Sequence, residues 1–196
     1  MNVTGAIRPA VPFAVLLLAG GRSSRMGSPK ALLDWAGAPL WRHQADTLDQ
    51  LHPDERFISL PPGRALEAPM GWTAVRDRDA DLGPLGGIEA ALRVMGSDRL
   101  VVLAIDLPAM TPDFLRRCLA DSASGRGVVP AIADWYQGLA AVYPRAVHPI
   151  VEAALAGADR SVQQVAARAV ASGLLTVRPV SDAERPQFRN LNRPGD

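Results

Sequence analysis

Residues 16–30 read LLLAGGRSSRMGSPK, and the fold turns on how this stretch is parsed. An apolar run, residues 11–19 (VPFAVLLLA), stops at Gly20 and Gly21, and a polar loop follows that carries Arg22, Arg25 and Lys30 among Ser23, Ser24 and Ser28. Two parsings of the apolar run compete. As a signal-peptide core it has Arg8 before it and small residues after it, but the mature domain would then open on a glycine–arginine loop with no first strand. As a strand buried on both faces of a parallel sheet it has the right composition, and it is too short to span a bilayer. The loop is then either a solvated turn, where glycine supplies positive φ and arginine supplies solubility, or an anion site placed directly after a buried strand.

Composition narrows the class. A chain of 196 residues, 48% hydrophobic and 21% charged, suits a single domain, residues 1–196, large enough to close a substantial core. No segment is apolar for long enough to cross a membrane. With a formal net charge of +1 and a pI near 8.0, no general field favours nucleic acid, so any anion site must be local. The single cysteine, Cys118, rules out an intrachain disulfide framework and fits a reducing compartment. It falls on the apolar side of a predicted helix, which marks it as core filler.

Strand and helix patterns alternate along the chain. Residues 11–19 form a strand, and residues 39–51 (PLWRHQADTLDQL) a helix that starts on proline. Residues 56–60 and 73–76 are short strands separated by a Pro-Pro-Gly turn. A helix over 84–95 (PLGGIEAALRVM) follows, then a second fully buried strand over 99–105 (RLVVLAI). Thr111 and Pro112 open another helix as N-cap and first helical residue. Beyond it lie strands near 127–131 and 138–143 and a helix from Arg145. Residues 161–164 (SVQQ) match a capping box, and the helix they start ends at Gly173 before a strand over 174–178. The pattern predicts a three-layer α/β sandwich, Rossmann-like, with helices on both faces of a mostly parallel sheet.

Ligands of such sheets collect outside the carboxyl ends of the strands. The first strand is followed by the glycine-rich cationic loop, the second buried strand by Asp106, and the strand at 73–76 by Asp77. Glycines let backbone N–H groups approach a phosphate or a base. Arg22 and Arg25 can fork onto phosphate oxygens, and Lys30 adds a movable point charge. Asp106 offers a hard oxygen for Mg²⁺, which prefers one or two carboxylates plus phosphates and water. This constellation fits a nucleoside triphosphate and a divalent metal. Other phosphate and catalytic motifs are missing: Gly27 is followed by Ser28 rather than lysine, there is no GxGxxG after the first strand, and no GxSxG elbow. His43, His52 and His148 have no metal-ligand spacing and are read as structural or solvent-facing.

The stretch LAGGRSSRMGSPKALL resembles the signature loop LAGGxSxRMGxxK of the MobA-like nucleotidyltransferases. The likeness continues in the family's order through GAPLWRH (residues 37–43), GPLGGI (83–88), the strand ending in Asp106 with Pro108, and FRNLNRPGD (188–196). Within the family the chain is most similar to the guanylyltransferases of the molybdenum cofactor. The resemblance implies a nucleotide-diphospho-sugar transferase type of fold. It also implies a cytoplasmic enzyme that moves GMP from GTP onto the phosphate of molybdopterin, usually carrying molybdenum, and releases pyrophosphate. It assigns Leu18, Ala19, Gly20, Gly21, Ser59 and Asp77 to the nucleotide, Lys30 to its phosphates, Asp106 to Mg²⁺, and Asn190 and Asn192 to the region of the pterin. Arg22, Arg25, Lys30 and Asp106 form the catalytic group. GTP and molybdopterin are the implied substrates, with transient contact to molybdenum-insertion or molybdoenzyme maturation proteins and none to nucleic acid or membrane.

The chain departs from the family's pattern in two places. Ser59 stands where guanylyltransferases often carry asparagine, and Gln137-Gly138-Leu139 replaces a frequent Gln/His-Pro-Leu. Cytidine-using relatives commonly carry LAAG, so Gly20 favours guanine. Asn190 and Asn192 share one face if extended, or belong to a polar C-terminal tail. A CTP-using relative, another phosphorylated acceptor and a non-catalytic nucleotide-binding module remain the alternatives.

Overall fold

The first strand, β1 (Phe13–Leu18), has all six side chains buried. The computed structural model describes residues 11–20, 30–60, 68–77, 82–157 and 160–191. Within them the chain continues through the short strands β2 (Asp34–Trp35) and β3 (Ala38–Pro39), helix α1 (Leu40–Asp49), β4 (Glu55–Ser59), β5 (Thr73–Val75) and helix α2 (Pro84–Val94). Then come β6 (Arg99–Ala104), α3 (Pro112–Asp121), β7 (Gly127–Ile132), β8 (Trp135–Tyr136) and β9 (Ala140–Pro144). Helices α4 (His148–Ala156) and α5 (Val162–Ala171) and strand β10 (Leu175–Pro179) complete the fold.

Eight strands form one sheet in the order β10-β7-β9-β6-β1-β4-β5, with β8 paired to β7. β5, β4, β1 and β6 are mutually parallel. β9 runs antiparallel to both β6 and β7, and β10 pairs parallel with β7. Because strand side chains alternate, β1 feeds two cores. Phe13, Val15 and Leu17 pack with α1 and α3. Ala14, Leu16 and Leu18 pack with α2, α4 and α5. β6 divides in the same way: Val101 and Leu103 go to the first layer, Leu100 and Val102 to the second. Leu16 and Leu17 are fully buried, and each such side chain is worth about 1.5–3 kcal/mol. Two sheet faces covered by helices make the three-layer sandwich that the double-sided apolar runs predict.

The helix starts follow from their caps. Thr111 Oγ1 accepts the Phe114 N–H at 3.3 Å to open α3, and Pro84 opens α2 behind Gly83, whose φ of 64° needs glycine. Ser161 caps α5 by accepting the Gln163 N–H at 3.2 Å. The reciprocal half of the predicted capping box is replaced, since the Gln164 side chain accepts from Arg168 instead. The helix predicted from Arg145 begins as a 3-10 turn, Arg145–Val147, before α4. Sequence reasoning missed the β2–β3 hairpin, because its turn places Ala36 at φ 53° before Gly37 at φ 87°, where asparagine or glycine is the usual signal. It also missed β8. The Pro-Pro-Gly turn at 61–63 lies outside the described residues. Cys118 is fully buried in the first core, and burial pushes its thiol up to about 12, as a core filler requires.

Candidate active site

The four parallel strands β1, β4, β5 and β6 present their carboxyl ends on one rim. The chain leaves β1 toward β4 and β5 and returns on the other side of β1 as β6, so β1 and β6 flank the topological switch point where ligands of open α/β sheets bind. Leu18 pairs with Ala104, and the Leu18 carbonyl accepts the Ile105 N–H at 3.1 Å. That extra bond carries Asp106, the next residue, to the edge where Ala19 and Gly20 begin the cationic loop. Leu18 is buried, and Ala19 and Gly20 are partly exposed on the rim.

Asp106 is tied to two distant segments. Its carbonyl accepts the Leu191 N–H at 2.8 Å, and the Leu191 carbonyl accepts from Lys30 Nζ at 2.9 Å. The backbone of Leu191 therefore bridges the first loop and the end of β6. Burial raises the Asp106 carboxyl above the ordinary range, while the Lys30 ammonium and a backbone hydrogen bond pull it partly back. A half-buried carboxylate with a raised pKa gains from a second cation. Asn190 is exposed beside this bridge. Gly21, Arg22, Arg25 and Asn192 lie outside the described residues.

Asp77 follows β5 and leans on the first turn of α2. A Cβ built on Gly86 would lie 2.6 Å from both Cγ and Oδ2 of Asp77, so glycine here lets the carboxylate keep this place against the helix. Burial raises its pKa, and the charge of Glu89 one turn further along α2 raises it again. Asp77 Oδ1 is buried without a hydrogen-bond partner among the described residues. Ser59, the last residue of β4, makes the matching approach at Gly87, where a Cβ would meet its Oγ at 2.6 Å and Leu18 Cδ2 at 2.8 Å. The two glycines of GPLGG thus seat two sequence-predicted site residues against the helix.

Gln44 stands against the candidate site, and sequence reasoning did not single it out. It is fully buried, and its Nε2 donates to the carbonyls of Ala104 at 3.1 Å and Leu107 at 2.9 Å, on either side of Asp106. A signal was present: Gln44 sits midway between Leu40 and Leu48, so one polar residue interrupts an i, i+4, i+8 apolar stripe. His43 donates from Nε2 to the Pro108 carbonyl at 3.0 Å.

A cleft of about 260 Å³ opens from Asp106 and is lined by Trp135, Tyr136, Gln137, Ser161, Gln163 and Asn190 among others. The Gln163 side chain holds its wall, accepting from the Tyr136 N–H at 3.1 Å and donating to the Tyr136 carbonyl. Gly138 explains its own departure from proline: a Cβ there would meet Val162 Cγ1 at 2.5 Å and the Tyr143 hydroxyl at 2.7 Å. That hydroxyl donates to the Gly138 carbonyl at 2.8 Å. Elsewhere, Glu89, His148 and Glu152 bring ligand atoms within 4.8 Å of one another, a place where a divalent cation could sit. Arg93 already engages both Glu89 oxygens, at 2.8 and 3.1 Å, and His148 Nε2 approaches Glu89 Oε1 at 3.5 Å, so this group also joins α2 to α4 through polar contacts. Among the described residues no helix is long and apolar enough to cross a membrane.

A family model described as the MobA-like NTP transferase domain matches residues 15–175. The molybdenum cofactor guanylyltransferase of Pseudomonas putida is 35% identical over 186 residues, covering 93% of this chain and 94% of that one. The enzyme of the same name from Ectopseudomonas mendocina is 34% identical over 200 residues, covering 99% and 92%. Among solved structures, molybdopterin-guanine dinucleotide biosynthesis protein A from Archaeoglobus fulgidus superposes with a TM-score of 0.73 at 23% identity, over 92% of this chain and 93% of that one. The 2-C-methyl-D-erythritol 4-phosphate cytidylyltransferase of Thermus thermophilus shares the fold with a TM-score of 0.67 at 14% identity, over 92% of each chain.

Proposed function

The chain belongs to the MobA-like NTP transferase family, and on that ground we propose that it transfers GMP from GTP to the phosphate of molybdopterin, forming the guanine dinucleotide of the molybdenum cofactor and releasing pyrophosphate. The observation that carries this proposal is the convergence of Asp106, Lys30 and the C-terminal segment at the β1–β6 switch point, in a chain similar along its length to curated guanylyltransferases. We take residues 1–196 as one nucleotidyltransferase domain in the cytoplasm, where GTP and a reduced Cys118 both belong.

The Asp106 carboxylate is a hard oxygen donor that suits Mg²⁺ better than zinc, and the histidine near it, His43, is engaged at Nε2 by the Pro108 carbonyl. Asp106 would hold the ion, which when bound neutralises charge on the triphosphate. Gly20 and Ala19 approach the base, which the LAGG sequence assigns to guanine. Asp77, with its unsatisfied Oδ1, awaits a donor from the nucleoside, and Ser59 lines the same side. Lys30, with Arg22 and Arg25 from the loop, offsets charge on the leaving pyrophosphate. The acceptor lies in the cleft between Asp106 and Trp135, with Asn190 at its edge, and the family resemblance adds Asn192 to its contacts. Its phosphate oxygen is already anionic near neutral pH, so it attacks the α-phosphorus without a general base. The new P–O bond forms as the bond to the pyrophosphate oxygen breaks, and no covalent enzyme intermediate is needed. Positioning and charge neutralisation supply the rate. Proteins that insert molybdenum or mature molybdoenzymes would contact the chain transiently to take the product.

The test is pyrophosphate release from GTP, CTP and ATP, each with and without molybdopterin. Release that requires both GTP and molybdopterin is the expected result. Equal release from CTP would replace guanylyl with cytidylyl transfer, and nucleotide binding without release would leave a binding module.

A further inference from the structure

Asp106 stands on a turn whose carbonyls are held from outside. The Ala104 and Leu107 carbonyls accept from Gln44 Nε2 at 3.1 and 2.9 Å, the Asp106 carbonyl from Leu191, and the Pro108 carbonyl from His43. Two consecutive side chains of α1 thus supply three of these bonds, and they bracket the carboxylate on both sides. Gln44 does so at a cost, because its Oε1 is buried without a partner among the described residues. A methionine of the same length would fill the space with no orphaned oxygen. What it could not do is donate to both carbonyls, and that fixes the direction in which the turn presents Asp106.

We propose that Gln44, assisted by His43, is a positioning residue of the metal–triphosphate site, holding the 104–108 turn so that the Asp106 carboxylate is preset to receive a divalent cation. The role rests on the assignment of Asp106 to the metal. Neither residue touches substrate, and both act through the backbone that carries Asp106. Groups that orient a metal ligand typically change metal affinity about 10–100-fold when removed.

The test uses the full chain with Mn²⁺ as the probe, its affinity measured by electron paramagnetic resonance with and without a non-hydrolysable GTP analogue. Gln44→Met should weaken Mn²⁺ about tenfold, while metal-free binding of the analogue stays within twofold of wild type. His43→Ala, at a half-exposed position, should weaken Mn²⁺ about threefold, and it carries the test if Gln44→Met does not fold. Val165→Ala, in the opposite core, serves as the control for destabilisation alone. Asp106→Asn separates the two layers of the proposal: if it retains wild-type Mn²⁺ affinity, the metal assignment falls and the positioning role with it. If Asp106→Asn loses the metal but both α1 variants bind it normally, only the positioning role is overturned. The same holds if Val165→Ala, at a matched loss of stability, weakens Mn²⁺ as much.

Discussion

Gly86→Ala adds one methyl group at the point where α2 meets Asp77. The new Cβ would lie 2.6 Å from Asp77 Cγ and Oδ2 and 2.7 Å from Leu82 Cβ. Carbon contacts settle at about 3.5–4.0 Å, so the neighbours must give way by roughly 1 Å. Leu82 is buried and its Cβ is fixed to the backbone, which leaves the Asp77 carboxylate as the group that moves. Two stability effects oppose each other: alanine in place of glycine favours a helix interior by up to about 1 kcal/mol, and overpacking costs about 1–3 kcal/mol. The net change runs from neutral to about 2 kcal/mol lost. The functional cost is larger, since a misplacement of about 1 Å can lower a rate by about 10²-fold. A fall in kcat/KM for GTP of about 10–100-fold is expected, equivalent to about 1.4–2.7 kcal/mol. The assay is a double-mutant cycle with Asp77→Ala, read in kcat/KM and in the urea midpoint. If the methyl acts by displacing Asp77, the double variant loses no more activity than Asp77→Ala alone. Additive losses, or wild-type kcat/KM in Gly86→Ala, would refute displacement of Asp77 as the cause, and wild-type kcat/KM in Asp77→Ala would refute its assignment to the nucleotide.

Lys30→Ala removes the ammonium that holds the Leu191 carbonyl and should weaken GTP more than GMP, because the lost charge faces the outer phosphates. Equal losses in calorimetry would move Lys30 away from the triphosphate and leave it as a tie to the C-terminal segment. Gly127→Ala places a Cβ 2.0 Å from the Val142 carbonyl oxygen, a backbone atom that cannot rotate away. A loss of about 3 kcal/mol or more is expected, or about 6–12 °C in Tm for a domain of this size; a change below 2 °C by calorimetry would show that β7 and β9 separate easily. Glu184 answers pH: burial opposes its ionisation, but hydrogen bonds from Ser181 and the Arg178 guanidinium hold its carboxyl down at about 2, against an ordinary 4.5. Because the folded pKa is the lower one, the stabilisation is complete above about 4.5 and is lost as pH falls toward 2. The gap in urea midpoint between wild type and Glu184→Gln should therefore close over that window, and a gap that stays constant down to pH 2 would disprove the linkage.

The layers and the rim were legible in the order of residues along the chain. The run at 11–19 is apolar at every position and that at 99–105 at every position after Arg99, as a strand covered on both faces requires, and β1 and β6 are those strands. Thr111, Pro84 and Ser161 announced three helix starts through groups that act within a turn of chain. The strand ends then named Asp77, Asp106 and the LAGG loop without any coordinate. Local order was legible because it is set by neighbours a few residues away.

Tertiary structure alone decided what meets across long separations. Nothing in the strand at 138–143 marks it as the antiparallel member between β6 and β7, since its pairing partners lie on other segments. Lys30 reads as a phosphate ligand in sequence, and the fold hands it the Leu191 carbonyl 161 residues away. Gly86 and Gly87 stand in the predicted helix and in the GPLGGI segment, and only the fold shows Asp77 and Ser59 filling the space a Cβ would take. Gln44 looks like a blemish in an apolar stripe until the carbonyls beside Asp106, 60 and 63 residues on, turn it into a brace. A side chain's type fixes what it can donate or accept, but which group stands opposite is fixed only when the sheet brings the strand ends together.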